Sequence, residues 1–186
     1  MTGDTEGPFD RSPPALFFRY VLQERLRQIF PPGARVLALG QGTGEEALFL
    51  AGRGVAVQAA GSAEDVAKLG TVFDGAYASF GALDRADLSA AGRALYVSLR
   101  PGAPVLLSLT RGRALSARAI RKQLGPGFRW RDAFALGVVL PAPSSGGWAQ
   151  RNPQAFGLLA ILERLVRRWP LVRSRGEYMV VEAIRT

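Results

Sequence analysis

Val36-Leu-Ala-Leu-Gly-Gln-Gly-Thr-Gly-Glu-Glu-Ala-Leu-Phe-Leu-Ala51 is the stretch whose reading decides the fold. Arg35 to Leu39 is a short apolar run that ends at glycine, the pattern of a strand buried on both faces of a parallel sheet. Gly40 to Gly44 is a tight loop. Glu45 to Gly52 reads as a helix, with two acids in its first turn, where the helix dipole favours negative charge. Gly40 and Gly42 allow a sharp turn and leave room for a ligand to approach without a Cβ in the way. Gly44 allows the helix to pack closely on the strand. The free N–H groups at the helix start suit an anionic or polar group. A glycine-rich turn alone decides little, since any tight strand-to-helix connection can use one.

The surrounding chain repeats this alternation. Before the strand, Ala15 to Phe30 has apolar residues near a 3.6 period and stops at Pro31-Pro32-Gly33. After it come a strand at Gly54–Ala60 and a helix beginning at Ser62, with Ser62-Ala-Glu-Asp as its capped start, running to about Leu69. A strand follows at Val72–Ser79, then a helix at Asp87–Leu99 closed by Pro101-Gly102, then a strand at Val105–Leu109. The second half reads as a basic helix at Leu115–Leu124, a strand at Arg129–Leu136 and a loop at Pro141–Gly147. A helix at Pro153–Arg168 and a last strand at Glu177–Ile184 complete it. Strands separated by helices of this length imply a mostly parallel sheet with helices on both faces. The expected organisation is one α/β domain over residues 15–186, preceded by a disordered lead-in at 1–14 rich in Gly, Pro, Ser and acids.

Composition narrows the chemistry. The 186 residues suit a single domain. There is no cysteine, which excludes disulfides, thiolate metal sites and cysteine nucleophiles, and there is no histidine, the commonest general base. No apolar run reaches the roughly 20 residues a membrane span needs. The polar, acidic N-terminus does not read as a secretory signal, so a cytoplasmic location is expected. The charge is uneven. Residues 1–92 carry 8 basic and 11 acidic side chains, and residues 93–186 carry 16 and 4. A basic half attracts nucleic acid, anionic lipid or an acidic partner, or is simply a set of solvated helix faces. No aromatics interleave with the arginines as a single-strand surface would want, so nucleic acid is the weaker reading.

The stretch from Val36 to Ala51 resembles the first motif of the class I S-adenosylmethionine-dependent methyltransferases, whose usual form is close to V-L-D-L-G-C-G-T-G-E. Three further segments agree in order. Phe73-Asp-Gly-Ala-Tyr-Ala-Ser-Phe-Gly-Ala-Leu83 resembles the family's fourth strand, where the chain passes under the methyl group. Ser98-Leu-Arg-Pro-Gly-Ala-Pro-Val-Leu-Leu-Ser108 resembles the helix, Pro-Gly turn and strand that follow. Gly137-Val-Val-Leu-Pro-Ala-Pro143, with the Arg-Arg-Trp-Pro around Trp169, is similar to the tail of the small-molecule branch. The resemblance implies a single-domain Rossmann-like methyltransferase fold and S-adenosylmethionine as cofactor. It implies that Gly40, Gln41, Gly42, Thr43 and Gly44 cradle the methionine part, with Ser79 and Phe80 beside the methyl group. It also implies a small or lipid-like acceptor. Phe17, Tyr20, Phe80 and Trp148 are the aromatics that either line an apolar pocket for it or simply pack in the core.

The departures from the family pattern are specific. Ala38 stands where the family's first strand usually carries aspartate, and Gln41 where cysteine is frequent. The family's second strand ends in an acid that takes both ribose hydroxyls, but here it ends Ala59-Ala60-Gly61, with Glu64 and Asp65 a few residues on. Asp84 stands where an asparagine is expected. Only 11 residues, Gly61 to Thr71, precede the next strand. A parallel crossover takes about ten to twelve, so the gap holds one connection and no extra strand. The family's third strand, with its adenine-contacting acid, is therefore expected to be missing, and Gly54–Ala60 to be an edge strand. Two functional readings remain open. One is a methyltransferase acting on a small or lipid-like molecule. The other is a catalytically dead pseudo-methyltransferase that binds or scaffolds a protein partner.

Overall fold

The computed structural model describes residues 11–40, 44–84, 86–110, 116–143, 146–169 and 175–186. Six strands form one sheet: β1 (Arg35–Leu39), β2 (Ala56–Ala60), β3 (Gly75–Ala78), β4 (Pro104–Thr110), β5 (Phe128–Leu136) and β6 (Tyr178–Arg185). Their spatial order is β2-β1-β3-β4-β6-β5. The neighbours from β2 to β4 pair in parallel, while β6 runs antiparallel to both β4 and β5. Among the described residues seven helices accompany the sheet: α1 (Pro13–Ile29), α2 (Glu45–Ala51), α3 (Ala63–Lys68), α4 (Leu88–Ser98), α5 (Ala117–Leu124), α6 (Gly146–Arg151) and α7 (Pro153–Val166). The mostly parallel α/β sheet read from the sequence is present.

Strand periodicity divides the core in two. Leu37 and Leu39 of β1, Ala76 and Ala78 of β3, and Val105, Leu107 and Leu109 of β4 point to one face. There they pack with Val66 of α3, Leu88 and Leu95 of α4, and Ile120 and Leu124 of α5. Val36, Tyr77, Leu106, Phe134, Tyr178 and Val180 point to the other, against Phe18, Leu22 and Leu26 of α1 and Leu50 of α2, with Leu159 of α7 at the margin. Each fully buried Leu or Phe contributes roughly 1.5–3 kcal/mol of burial free energy. The two faces thus hold the sheet from both sides, as the sequence pattern implies.

β2 is the edge strand, and no strand lies outside it among the described residues. It pairs only with β1, from Arg35 opposite Ala56 to Leu39 opposite Ala60. Of its residues only Ala60 is buried, while Ala56, Gln58 and Ala59 are exposed.

Several boundaries move. α1 begins at Pro13 rather than Ala15, because Ser12 adopts an extended N-cap and proline suits the first turn. Ser12 is buried and its hydroxyl donates to the Pro143 carbonyl at 3.1 Å. Residues 1–10 of the expected lead-in lie outside the described residues. β2 and β3 are shorter than their apolar runs, and α7 ends at Val166. The loop read at Pro141–Gly147 gives way to α6 at Gly146. Two leading glycines hide this helix from propensity, and the burial of Ala149 is the tertiary contact that overrides it. Ser62 caps α3 as read, its Oγ accepting from the Asp65 N–H at 3.2 Å.

Candidate functional site

The strand order reverses between β1 and β3, since β2 lies on one side of β1 and β3 on the other. Ligands of open α/β sheets bind at the strand C-termini beside such a switch point. A cleft of about 790 Å³ opens there. Its walls are Gly61 to Glu64 after β2, Phe80 to Asp84 after β3, the start of α4, Thr110 at the end of β4 and Tyr178 at the start of β6.

Gly40 ends β1 at the base of the glycine loop. Its N–H donates to the Ala60 carbonyl at 2.8 Å, and its φ is +91°. A Cβ there would lie 2.4 Å from the Ala82 carbonyl oxygen. The close neighbour that Gly40 admits is thus the chain's own turn after β3. Gly44 has φ +79° as the N-cap of α2, and a Cβ on it would meet nothing within 4 Å. Its glycine answers to backbone conformation. Gln41, Gly42 and Thr43 lie outside the described residues.

Ser79 and Phe80 leave β3 in different directions. Ser79 is buried and its Oγ donates to Glu46 Oε2 at 3.2 Å. Phe80 borders the cleft with φ +42°, a left-handed conformation that costs a bulky residue about 1–3 kcal/mol. Its ring meets the Tyr178 ring edge-on at 5.5 Å. Strain of this kind persists where the surroundings over-determine it, and it clusters at binding sites.

Behind Ser79 lies a buried charged cluster that the motif reading does not include. Arg19 of α1 is 8% exposed and Glu46 of α2 is 1% exposed. Arg19 Nη1 pairs with Glu45, and its Nε lies 3.8 Å from Glu46 Oε1, too far for a hydrogen bond. Among the described residues Arg19 Nε and Nη2 and Glu46 Oε1 make no hydrogen bond. Burial raises the Glu46 carboxyl above its ordinary value, against hydrogen bonds from its own backbone and Ser79 and the charge of Arg19. Burial, and then the charge of Glu46, pushes the neighbouring Tyr77 phenol up. Leaving such valences open costs about 1–3 kcal/mol each, more for charged groups, so the arrangement suits a polar ligand that completes them.

On the β2 side the acids divide. Asp65 accepts from Ser62 Oγ at 2.8 Å and from Lys68 Nζ at 3.3 Å, and the Ser62 hydroxyl leads in lowering its carboxyl. Glu64 is exposed and borders the cleft. Ala60, where a ribose acceptor would stand, is buried in the core, whereas Gly61 borders the cleft. Asp84 accepts from both the backbone N–H (3.1 Å) and the hydroxyl of Thr110, so it ties the turn after β3 to β4. Of the aromatics read as an acceptor pocket, Phe80 borders the cleft, while Tyr20 is 52% exposed on α1, where the Arg164 guanidinium sits over it and Phe17. Neither Phe17 nor Trp148 lines the cleft. Tyr178, not singled out from sequence, is the aromatic that joins Phe80 there. Among the described residues no group of three or more acidic side chains is placed to hold a metal ion.

No protein-family model matches the chain, and no curated protein matches it in sequence. Solved structures do match it in three dimensions. The [4+2]-cyclase SpnF is 17% identical with a TM-score of 0.58, the match covering 89% of this chain and 80% of that one. Geranyl diphosphate C-methyltransferase from Streptomyces coelicolor A3(2), seen with Mg2+, geranyl diphosphate and S-adenosyl-L-homocysteine, is 10% identical with a TM-score of 0.59, over 90% and 79%. A SAM-dependent methyltransferase from Thiobacillus denitrificans in complex with S-adenosyl-L-homocysteine is 16% identical with a TM-score of 0.50, over 100% and 95%. Likeness at these identities is likeness of fold.

Proposed function

We propose that this chain, whose fold is that of the class I S-adenosylmethionine-dependent methyltransferases, binds S-adenosylmethionine mainly by its methionine end and serves methyl transfer to a small or lipid-like acceptor. The observation that carries this reading is the buried Arg19–Glu46–Ser79 cluster with open valences, which adjoins the cleft wall only through Phe80, the residue after Ser79. A methionine end is a zwitterion. Its carboxylate needs a guanidinium donor and its ammonium needs an acceptor, and Arg19 Nη2 and Glu46 Oε1 supply one of each. Gly40, Gln41, Gly42, Thr43 and Gly44 are the loop residues assigned to that end in this reading, with Ser79 and Phe80 assigned to the reacting end.

The nucleoside end fits less well. Gly61 offers no side-chain acceptor, Ala60 is buried, and β2 has no outer neighbour strand to carry an adenine contact. Glu64 is the one carboxylate on that wall free to turn toward a ribose. Losing two charge-assisted hydrogen bonds weakens binding about tenfold or more each, which moves a micromolar site to roughly 100 μM or above. When bound, the cofactor's sulfonium supplies the driving force for transfer, so the protein's task is positioning and exclusion of water. The absence of histidine is compatible with that task. The cleft wall of Phe80, Leu83 and Tyr178 is the apolar surface available to an acceptor.

The open edge at β2 favours a second reading, a fold kept for binding or scaffolding with the chemistry lost. Calorimetric titration with S-adenosylmethionine and S-adenosylhomocysteine of the wild type and Arg19→Gln separates the two. Weak binding that Arg19→Gln reduces further supports the cofactor reading, whereas the absence of any binding supports the scaffold.

A further inference from the structure

α7 is anchored from below and bare above. Its inward face carries Phe156, Leu159 and Ala160 against the core, together with Glu163, which is wholly buried. The Glu163 carboxylate accepts the backbone N–H groups of Val138, Val139 and Leu140 at 2.8–3.2 Å. Its outward face carries Leu158 (70% exposed), Ile161 (60%), Leu162 (42%) and Leu165 (65%), and Trp169 (59%) extends the row past the helix end. At about 100° per residue the four helix residues fall within an arc of roughly 100°, a continuous apolar stripe. An ordinary surface helix is apolar on its inward face alone and carries polar side chains outward.

The charge beside the stripe has one sign. Arg164 and Arg168 flank it, and Arg164 connects it to exposed Tyr20 on α1. The only acid on α7 is Glu163, turned inward. The second half of the chain offers little to balance these arginines. Of its four acids, Glu163 and Glu182 are buried, and Asp132, which Arg25 approaches at 3.7 Å, pairs with Arg168 at 3.3 Å, so that Arg164 is the cation of the stripe with no ion pair among the described residues. An apolar stripe ending in Trp and bordered by arginine is the composition of a helix lying in a bilayer interface, with its apolar face at the acyl boundary and its cations at anionic headgroups. A second copy of the chain fits less well. A two-fold contact through this face would set Arg164 and Arg168 against their own counterparts with no exposed carboxylate on the helix to answer them.

We propose that the outward face of α7, with Trp169 and Tyr20, docks this protein on the surface of an anionic lipid bilayer. The docking is peripheral, since no described helix is long and apolar enough to cross a membrane. It is independent of the cofactor reading.

The test is co-sedimentation of the full chain with vesicles of phosphatidylcholine alone and with roughly 30% phosphatidylserine, with the oligomeric state followed by light scattering. The expected result is binding to the anionic vesicles about tenfold or more tighter than to neutral ones, weakened several-fold at high salt. Leu158→Ser with Leu165→Ser should weaken it a further tenfold or more, and Arg164→Gln about fivefold. All three positions are exposed, so circular dichroism and melting should stay at wild-type values. Three results would overturn the proposal. One is no binding to anionic vesicles. Another is equal binding by the double serine variant. The last is a wild-type dimer that this variant dissolves, in the absence of vesicle binding, which would assign the face to a second copy.

Discussion

Gly40→Ala tests how the site is built, because its cost comes from two separable sources. The residue sits at φ +91°, where an L side chain costs about 1–2 kcal/mol. The added Cβ would also lie 2.4 Å from the Ala82 carbonyl oxygen and 2.9 Å from the Ala82 Cβ, so backbone must shift, and overpacking of this kind costs about 1–3 kcal/mol. The total is about 2–5 kcal/mol. For a domain of 186 residues that lowers Tm by about 4–20 °C. Gly44→Ala supplies the control. Its φ of +79° carries the same conformational cost, but no atom lies within 4 Å of the new Cβ, so only about 1–2 kcal/mol is expected. Thermal unfolding of both variants, followed by circular dichroism, gives the difference directly. Equal melting temperatures would refute the idea that the turn after β3 closes directly onto Gly40.

The buried charges give further expectations. The folded state holds the Glu46 proton more tightly than the unfolded chain does, so no burial penalty is present below its ordinary value of 4.5. The penalty grows as pH rises through the elevated folded value. Wild type should therefore lose stability relative to Glu46→Gln from about pH 4.5 toward neutrality, and a parallel Tm profile for the two proteins would count against the burial assignment. Glu182 is buried on β6 and pairs with Arg25 of α1, its Oε2 2.7 Å from Arg25 Nε, and with Arg131 at 3.3 Å. Arg25→Met strips away its main partner and should cost about 3–5 kcal/mol in denaturant unfolding, whereas Arg27→Met, in an exposed pair with Glu24, should cost under about 1 kcal/mol. Similar costs for the two would show that Glu182 does not depend on Arg25.

Much of this fold is legible in the sequence because its signals are local. The apolar run Arg35–Leu39 is the strand itself, residue for residue, and Ser62 caps the helix its chemistry suggests. The short gap between Ala60 and Phe73 leaves room for one crossover only, and β2 is accordingly the edge. α6 is missed because its stability comes from the packing of Ala149 and not from Gly146-Gly147. The site is less legible, because its charged parts come from elements far apart in the chain. Arg19 was readable in part. It shares the apolar face of α1 with Ala15, Phe18, Leu22 and Leu26, and an arginine on such a face asks for a buried partner. That both acids of the glycine motif, Glu45 and Glu46, gather round it becomes visible only when α1 is laid over α2. Ala60 and Gly61 show the converse. Both look like an empty ribose site in sequence, yet one is core and only the other borders the cleft.

The division of labour between the two ends of the cofactor is most directly tested at Gly61. A Cβ there would meet only Asp65 Oδ2, at 3.5 Å, so an acid can be accommodated at the cleft wall. The measurement is calorimetric titration of S-adenosylhomocysteine into wild type, Gly61→Asp and Glu64→Gln under one set of conditions. The expected wild-type Kd lies above roughly 100 μM, tightening about tenfold in Gly61→Asp as the ribose gains a bidentate acceptor and weakening in Glu64→Gln. Low-micromolar binding by wild type that Glu64→Gln leaves unchanged would contradict it, and would place the nucleoside grip on residues other than those at the end of β2.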